Sequence, residues 1–452
     1  MAERLVVVGG NAAGMSAASQ ARRMRSAEDL EILALEGSSF VSYAACGEPY
    51  HVAGYVDPLE RLVARWPDQF ADMGIEVRTR HHVREIDLDR RVVTGVDVDT
   101  GMMFEEGFDQ LMVSTGTVPF RPPIDGIDLP GVYGLHTLDD AALLRRVADG
   151  SPGRVVVVGG GYIGLEVAEA FLHRRWEVTV VESEASVLAR TLDADMGDRV
   201  IGAMRRMGAD VRSETMVRCI QGPDRARAVG CDDDAIPADV VVLGLGSRPQ
   251  VELAAGAGIA LGPTGAVAVD DHQRTPTDGV WSAGDCAETR HRITGRPANF
   301  HLGTVANKTG RVAGVNLGGG DASFPGVLGT AITRICELEV SSTGLRVSDA
   351  EVAGIDAVAA TVEGTTAAGY WPEARPMAIR VVAERSTGRL LGSQIVGGPG
   401  AGKRIDVFAT AIWNEVSAEE LAWTDLAYAP PFSGVWDLIH IAARKAAEAA
   451  GV

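Results

Sequence analysis

One construction occurs twice in this chain. Leu5-Val-Val-Val-Gly9-Gly-Asn11-Ala12-Ala-Gly14 leads from an apolar strand through a glycine turn into the helical stretch Met15-Ser16-Ala-Ala-Ser-Gln20-Ala-Arg. Arg154-Val-Val-Val-Val-Gly159-Gly-Gly161-Tyr162-Ile163-Gly164, followed by Leu165-Glu166-Val-Ala-Glu-Ala-Phe-Leu, repeats the design, with Gly159 standing 150 positions after Gly9. Glycines at these places allow the turn, let backbone approach a pyrophosphate and let the helix pack closely, while the helix N-terminus supplies N–H donors and positive potential. In each copy the next strand ends in an acid, Glu36 or Glu182. These acids lie 22 residues past Gly14 and 18 past Gly164, near the ~20 that places a carboxylate on a ribose hydroxyl. A single motif of this kind is weak, but two copies with both acids point to two dinucleotide-binding folds. Only the first copy departs from the pattern, with Asn11 at the middle glycine position.

Two such sites in one chain suggest FAD and a nicotinamide nucleotide. Thr275-Pro-Thr-Asp-Gly-Val-Trp-Ser-Ala-Gly284-Asp285 reads as a short strand presenting a carboxylate to a flavin's ribityl chain. Leu111-Met-Val-Ser-Thr115-Gly116 and Val240-Val-Val-Leu-Gly-Leu-Gly246 read as strand-to-glycine links that return the chain between domains. At 452 residues there is room for two or three domains. The net charge of −19, from 61 acidic against 42 basic residues, argues against nucleic-acid or anionic-membrane partners. No apolar run reaches the ~20 residues of a membrane span, and the start runs directly into Val6-Val-Val-Gly9, so a cytoplasmic location is expected. The five cysteines, at 46, 219, 231, 286 and 336, show neither metal-ligand spacing nor a disulfide framework; no metal is expected.

With Ser42-Tyr-Ala-Ala-Cys46-Gly-Glu48-Pro-Tyr50, Ala283-Gly-Asp285, Ala306-Asn-Lys-Thr-Gly-Arg311, Lys403-Arg-Ile-Asp406 and Ala427-Tyr428-Ala-Pro-Pro-Phe-Ser433 added to the two turns, the chain resembles the pyridine nucleotide-disulfide oxidoreductases. Within them it resembles the single-cysteine branch of coenzyme A-disulfide reductases, NADH oxidases and NADH peroxidases. The resemblance implies an α/β fold with two Rossmann-like domains and a C-terminal α+β dimerisation domain. By it, residues 1–120 and 252–325 form the FAD domain, 121–251 the NAD domain and 326–452 the dimerisation domain of a homodimer.

The resemblance further implies that Cys46 is the redox-active thiol, heading a helix that would lower its pKa, with the other four cysteines as spectators. Two-cysteine relatives hold a second cysteine five positions away, where this chain has Val41 and His51. Cys46 must then pair with a small thiol as a mixed disulfide or carry an oxygen as sulfenic acid. Peroxidase-type relatives place a histidine at the position of Ala12, which weakens the oxygen branch. Tyr428, helped by Tyr370, is implied as the partner subunit's proton donor. Ser16, Gln20, Arg23, Ser42 and Arg311 are implied to grip the thiol's carrier, coenzyme A in the nearest branch. Arg22-Arg-Met-Arg25 suits a phosphate-bearing ligand, and the helix Thr304 to Val312 would aim its N-terminus at the flavin.

On the cofactor side, Gly9, Asn11, Ala12, Gly14, Glu36, Ser42, Thr115, Gly116, Asp285 and Ala306 are assigned to FAD. Gly159, Gly161, Tyr162, Ile163, Gly164, Glu166, Glu182 and Gly246 are assigned to NADH, with Tyr162 as a gate and Glu166 beside the nicotinamide. Glu48, where relatives carry an apolar residue, is expected to raise the thiol's pKa and repel an anionic substrate. The expected activity is reduction of a low-molecular-weight disulfide or persulfide by NADH. An NADH oxidase cycling sulfenic acid, or a flavin electron carrier with an inert Cys46, are the alternatives.

Overall fold

A computed structural model of the chain describes residues 2–232 and 234–451. By its contacts the chain divides into two units. One gathers the chain up to Phe120, His136–Arg146 and Ser247–Val327; the other gathers Arg121–Leu135, Val147–Gly246 and the chain from Leu328 onward.

In the first unit a parallel sheet has the strand order Val280–Ser282, Gln110–Val113, Glu3–Val8, Leu30–Leu35, Glu76–Arg78. Its strands are near-continuous runs of Val, Leu and Ile because both faces are covered. Leu5 and Val7 pack under helices, while Val6 and Val8 pack against the antiparallel ribbon His81–Asp87, Val92–Asp97, Met103–Gly107. The helix Ala12–Met24 lies on the helix Gly303–Leu317 almost backbone to backbone. A Cβ on Gly310 would meet the Ala13 carbonyl oxygen at 2.3 Å, and one on Gly314 would meet that of Ala17 at 2.4 Å. The small residues of Ala12-Ala-Gly-Met-Ser-Ala-Ala are what permit this approach.

The second unit repeats the plan. Its parallel sheet runs Asp210–Arg212, Glu177–Val181, Arg154–Val158, Val240–Leu243, Val132–Tyr133, and its own antiparallel ribbon is Val217–Gln221, Ala228–Cys231, Ala235–Pro237. The doubled sequence is thus a doubled architecture. The same unit holds an antiparallel sheet ordered Ala331–Ile335, Leu338–Gly344, Leu390–Gly397, Pro376–Glu384, Ala357–Thr365, packed by the helices Ile405–Trp413 and Leu438–Ala450. Central position and helix cover together leave every residue of Leu390–Gly397 buried.

The fold is therefore α/β with two Rossmann-like folds and an α+β C-terminal part, as expected. One helix differs in extent from the sequence reading. Gly303–Leu317 runs beyond the expected 304–312, because Gly310 and Gly314 pack against the first helix rather than end their own. Arg404 belongs to a 3-10 turn, Gly402–Arg404, that precedes the helix proper. Among the described residues no helix is long and apolar enough to cross a membrane, and no cluster of side chains could hold a metal ion.

Candidate functional site: two nucleotide turns, one exposed thiol and a phenol pair

The turns show why glycine is needed. A Cβ on Gly14 would lie 1.9 Å from the Gly9 carbonyl oxygen, and one on Gly164 would lie 2.1 Å from that of Gly159. Both acids sit against their turns in the same way. Glu36 Oε2 accepts from the Gly10 N–H and Glu182 Oε2 from the Gly160 N–H, each at 2.7 Å. Their second oxygens accept from Ser38 N at 2.8 Å and Glu184 N at 2.9 Å. Gly161 caps the second helix, whose first turn carries Tyr162 and the exposed Ile163. Asn11, the apparent defect in the first copy, has a structural use: its Oδ1 accepts from the Tyr43 N–H at 3.2 Å, while the Ser42 N–H donates to the Gly10 carbonyl at 2.9 Å. The nucleotide turn and the cysteine loop are thereby tied together.

Asp285 provides a test of whether FAD fits. Its carboxyl is buried, Oδ1 has no hydrogen-bond partner, and burial pushes its pKa up to about 6. A ribityl hydroxyl would satisfy that orphaned oxygen, so the residues present fit FAD. Around it, Thr115 Oγ1 donates to the Gln250 carbonyl at 2.6 Å, the Gly116 carbonyl accepts from Gln250 N at 2.9 Å, and Ala306 is buried. Sequence reasoning missed Asn299 and His301. Asn299 Nδ2 donates to the carbonyls of Asp285 and Ala287, and its Oδ1 is hydrogen-bonded to His301, which also bonds Ser247. Their only sequence signal was a polar pair just ahead of a helix.

Cys46 is the one exposed cysteine of the five, all of which are thiols. Burial pushes the Cys286 thiol up, and pushes that of Cys336 up to about 12. The helix expected behind Cys46 is short. Ala45–Gly47 make one 3-10 turn, followed by the six-residue helix Glu48–Ala53, too short to add much macrodipole to the thiol's environment. The loop is instead held by Ala44 N–H to the Leu62 carbonyl and Ala64 N–H to the Ser42 carbonyl, with Ser42 itself left-handed at φ 48°.

Glu48 also differs from expectation. It is 3% exposed with Oε1 lacking a partner, and its pKa is pushed up to about 8, first by burial and then by Asp140. Near pH 7 it is mostly a neutral acid and does not repel an anion. Tyr43, whose pKa is raised by burial and then by Glu48, completes this buried set. Because the folded-state value lies above the ordinary 4.5, Glu48's contribution to stability is present below that value and is lost as pH rises toward about 8. Glu48→Gln should then leave the melting midpoint nearly unchanged at pH 5 and stabilise the protein at pH 8.5 by ~2–3 kcal/mol. Equal shifts at the two pH values would contradict a buried neutral acid.

Of the residues implied for a thiol carrier, Ser16, Gln20, Arg23 and Arg311 lie on the first helix and the facing helix Gly303–Leu317, whereas Ser42 stays in the cysteine loop. Gln20 Oε1 accepts from Arg311 at 3.0 Å and from Arg23 at 3.3 Å, and Ser16 Oγ donates to Asn307 Oδ1 at 2.8 Å. Two guanidinia sharing one amide oxygen retain donors for an anion. Asn307 is an addition that sequence reasoning missed. The cluster Arg22–Arg25, in contrast, is dispersed. Arg22 donates to the Leu30 and Gly74 carbonyls and Arg25 pairs with Glu3, so of these only Arg23 joins Gln20 and Arg311.

In the second unit, Glu166 Oε1 accepts from Thr333 Oγ1 at 2.5 Å, and burial is the main cause that pushes its pKa up to about 7. Tyr162 has Thr191 and Ser342 nearby, and its buried hydroxyl has no hydrogen-bond partner; burial raises its pKa. Gly246, at φ 82°, ends the link after Val240–Leu243. Tyr370 and Tyr428, far apart in sequence, stand exposed with their hydroxyls close enough for Tyr370 to raise the Tyr428 pKa. Desolvation and the neighbouring Tyr370 hold the Tyr428 phenol above its ordinary pKa, leaving it a protonated donor at neutral pH.

Two family models match: pyridine nucleotide-disulphide oxidoreductase over residues 3–308, and the dimerisation domain of the same family over 330–438. An NAD(P)H sulfur oxidoreductase (CoA-dependent) of Pyrococcus abyssi is 37% identical over 447 residues, covering 97% of each chain. An NADH oxidase of Methanocaldococcus jannaschii is 34% identical, covering 98% of each. Among solved structures, the NAD-dependent persulfide reductase from A. fulgidus superposes with a TM-score of 0.94 at 36% identity, covering 98% of this chain and 82% of that one.

Proposed function

The chain belongs to the pyridine nucleotide-disulphide oxidoreductase family, and on that premise we propose that it is a homodimeric FAD enzyme passing electrons from NADH through Cys46 to a small disulfide or persulfide, with coenzyme A as the carrier thiol. The observation that carries this reading is the exposed Cys46 thiol, tied through Ser42 and Tyr43 to the first nucleotide turn. FAD, when bound, supplies the two-electron relay between NADH and sulfur. Residues 1–120 with 252–325, 121–251 and 326–452 are the proposed FAD, NAD and dimerisation domains.

In the proposed cycle the Cys46 thiolate attacks one sulfur of R–S–S–R, forming a Cys46–S–S–R bond and expelling R–S⁻. Tyr428 of the partner subunit gives that thiolate a proton, and Tyr370 holds the phenol in place. Two electrons from NADH then cleave the mixed disulfide, releasing the second thiol after uptake of a proton. Arg23, Arg311 and Gln20 are proposed to bind a phosphate of the carrier, with Ser16 and Ser42 lining its path. The two guanidinia on one amide oxygen support an anionic carrier, and the neutral Glu48 supports it further by not opposing that charge.

Mass spectrometry of the protein as purified tests the reading directly. A thiol adduct on Cys46 names the carrier, whereas an added oxygen alone favours the oxidase chemistry of the M. jannaschii relative's name. Glu182 should also set the nucleotide. Its carboxylate borders the turn, and no basic residue lies between Ser183 and Ala189, so a 2′-phosphate would meet like charge. NADH should be preferred over NADPH by more than about tenfold in kcat/KM; equal values would overturn this role for Glu182.

A further inference from the structure

The two loops that carry Tyr370 and Tyr428 meet at one buried ion pair. Arg404, its side chain 12% exposed, faces Asp437, 10% exposed, with Nη2 3.0 Å from Oδ2 and Nε 3.2 Å from Oδ1. The remaining donors of the guanidinium reach backbone. Nη2 donates to the Thr366 carbonyl at 3.0 Å and to the Phe432 carbonyl, and Nη1 to the Gly400 carbonyl. Thr366 is the base of the Tyr370 loop, which closes by Thr366 N–H to the Arg375 carbonyl and by Arg375 N–H to Thr366 Oγ1. Phe432 ends the turn after Tyr428, with its own N–H on the Ala429 carbonyl. One direct bond joins the loops, Ala368 N–H to the Pro430 carbonyl at 2.9 Å. Asp437 is fixed in turn, because it caps the helix Leu438–Ala450 by accepting from Ile439 N–H at 2.9 Å.

We infer that Arg404, held by Asp437, is a positioning residue for disulfide reduction: it clamps one carbonyl from each tyrosine loop and so keeps Tyr370 and Tyr428 beside each other. The inference rests on the proton-donor role proposed for Tyr428. A planar fork is required for it, since four acceptors in different directions surround the group and a lysine ammonium on its single stem cannot span them. The exposed phenols have little packing of their own to fix them, so the carbonyl clamp sets where they stand.

A double-mutant cycle tests this, using rapid mixing to separate NADH oxidation from disulfide reduction. Arg404→Lys keeps the charge beside Asp437 and should slow disulfide reduction by about ten- to a hundred-fold, with NADH oxidation unchanged. Arg404→Lys with Tyr428→Phe should be no slower than Tyr428→Phe alone, because both changes remove one contribution. Asp437→Asn keeps the helix cap and should act in the same direction, so it reads the clamp if Arg404→Lys fails to fold. A folded Arg404→Lys enzyme at full rate, equal slowing of both half-reactions, or multiplying effects in the double variant would each overturn the inference. If Tyr428→Phe alone has no effect, the proton-donor reading itself fails, a result distinct from the other three.

Discussion

Cys46→Ser should abolish disulfide reduction, by on the order of a thousandfold or more, while the protein still binds FAD and still oxidises NADH in a single turnover. A serine hydroxyl is isosteric but is neither ionised near neutral pH nor able to form a mixed disulfide. The position is exposed in a short turn, so the change leaves packing intact and the loss reads chemistry rather than folding. Cys286→Ser is the matching control. Cys286 directly follows Asp285, but it is fully buried, with its Sγ near the Val113 and Ala283 carbonyls, and burial raises its pKa. That variant should keep disulfide reduction. Were Cys286→Ser the inactive variant and Cys46→Ser active, the reacting sulfur would have been misplaced. Survival of NADH-driven electron transfer to a protein acceptor in Cys46→Ser would favour the electron-carrier alternative.

The features legible in the sequence were those whose cause is local. Gly14 and Gly164 must be glycine because the carbonyl five residues back occupies the place of a Cβ, and that requirement writes itself into the motif. Glu36 and Glu182 directly follow Leu30–Leu35 and Glu177–Val181, apolar strands paired in parallel with the strand that leads into each turn. Residues whose role comes from distant partners were read wrongly or not at all. Asn11 looked like a weakened motif, yet its side chain serves the cysteine loop 32 residues later. Glu48 looked like a repelling charge, and only burial beside Asp140, from a segment 92 residues away, makes it a neutral acid. The basic cluster Arg22–Arg25 looked like one ligand site, but Arg22 points to the Leu30 and Gly74 carbonyls and Arg25 to Glu3. The Tyr370–Tyr428 pairing followed from family resemblance; no spacing rule could have joined two residues 58 positions apart. Arg404 was visible only as part of a motif with no role attached.

Tyr428→Phe should slow disulfide reduction by roughly ten- to a hundred-fold, the equivalent of ~1.5–3 kcal/mol for a lost general acid or a hydrogen bond to a charged sulfur. The rate of NADH oxidation in its own half-reaction should not change, since the phenol acts only when a thiolate departs. Direction of the pKa shift matters here: desolvation and Tyr370 raise the Tyr428 value, so the group stays protonated through the neutral range and its donor function is lost only in strong alkali. The wild-type rate should accordingly show no fall attributable to Tyr428 below pH 9, and the phenylalanine variant should retain the same profile at a lower level. Tyr370→Phe should cost less, because that hydroxyl orients its neighbour and stands more exposed. Static light scattering separates chemistry from assembly: if Tyr428 reaches the partner's cysteine, activity and the dimer mass must dilute away together. A fully active monomer would place the phenol outside the reacting site, and an unaltered disulfide half-reaction in Tyr428→Phe would reduce the pair to surface packing on the C-terminal sheet.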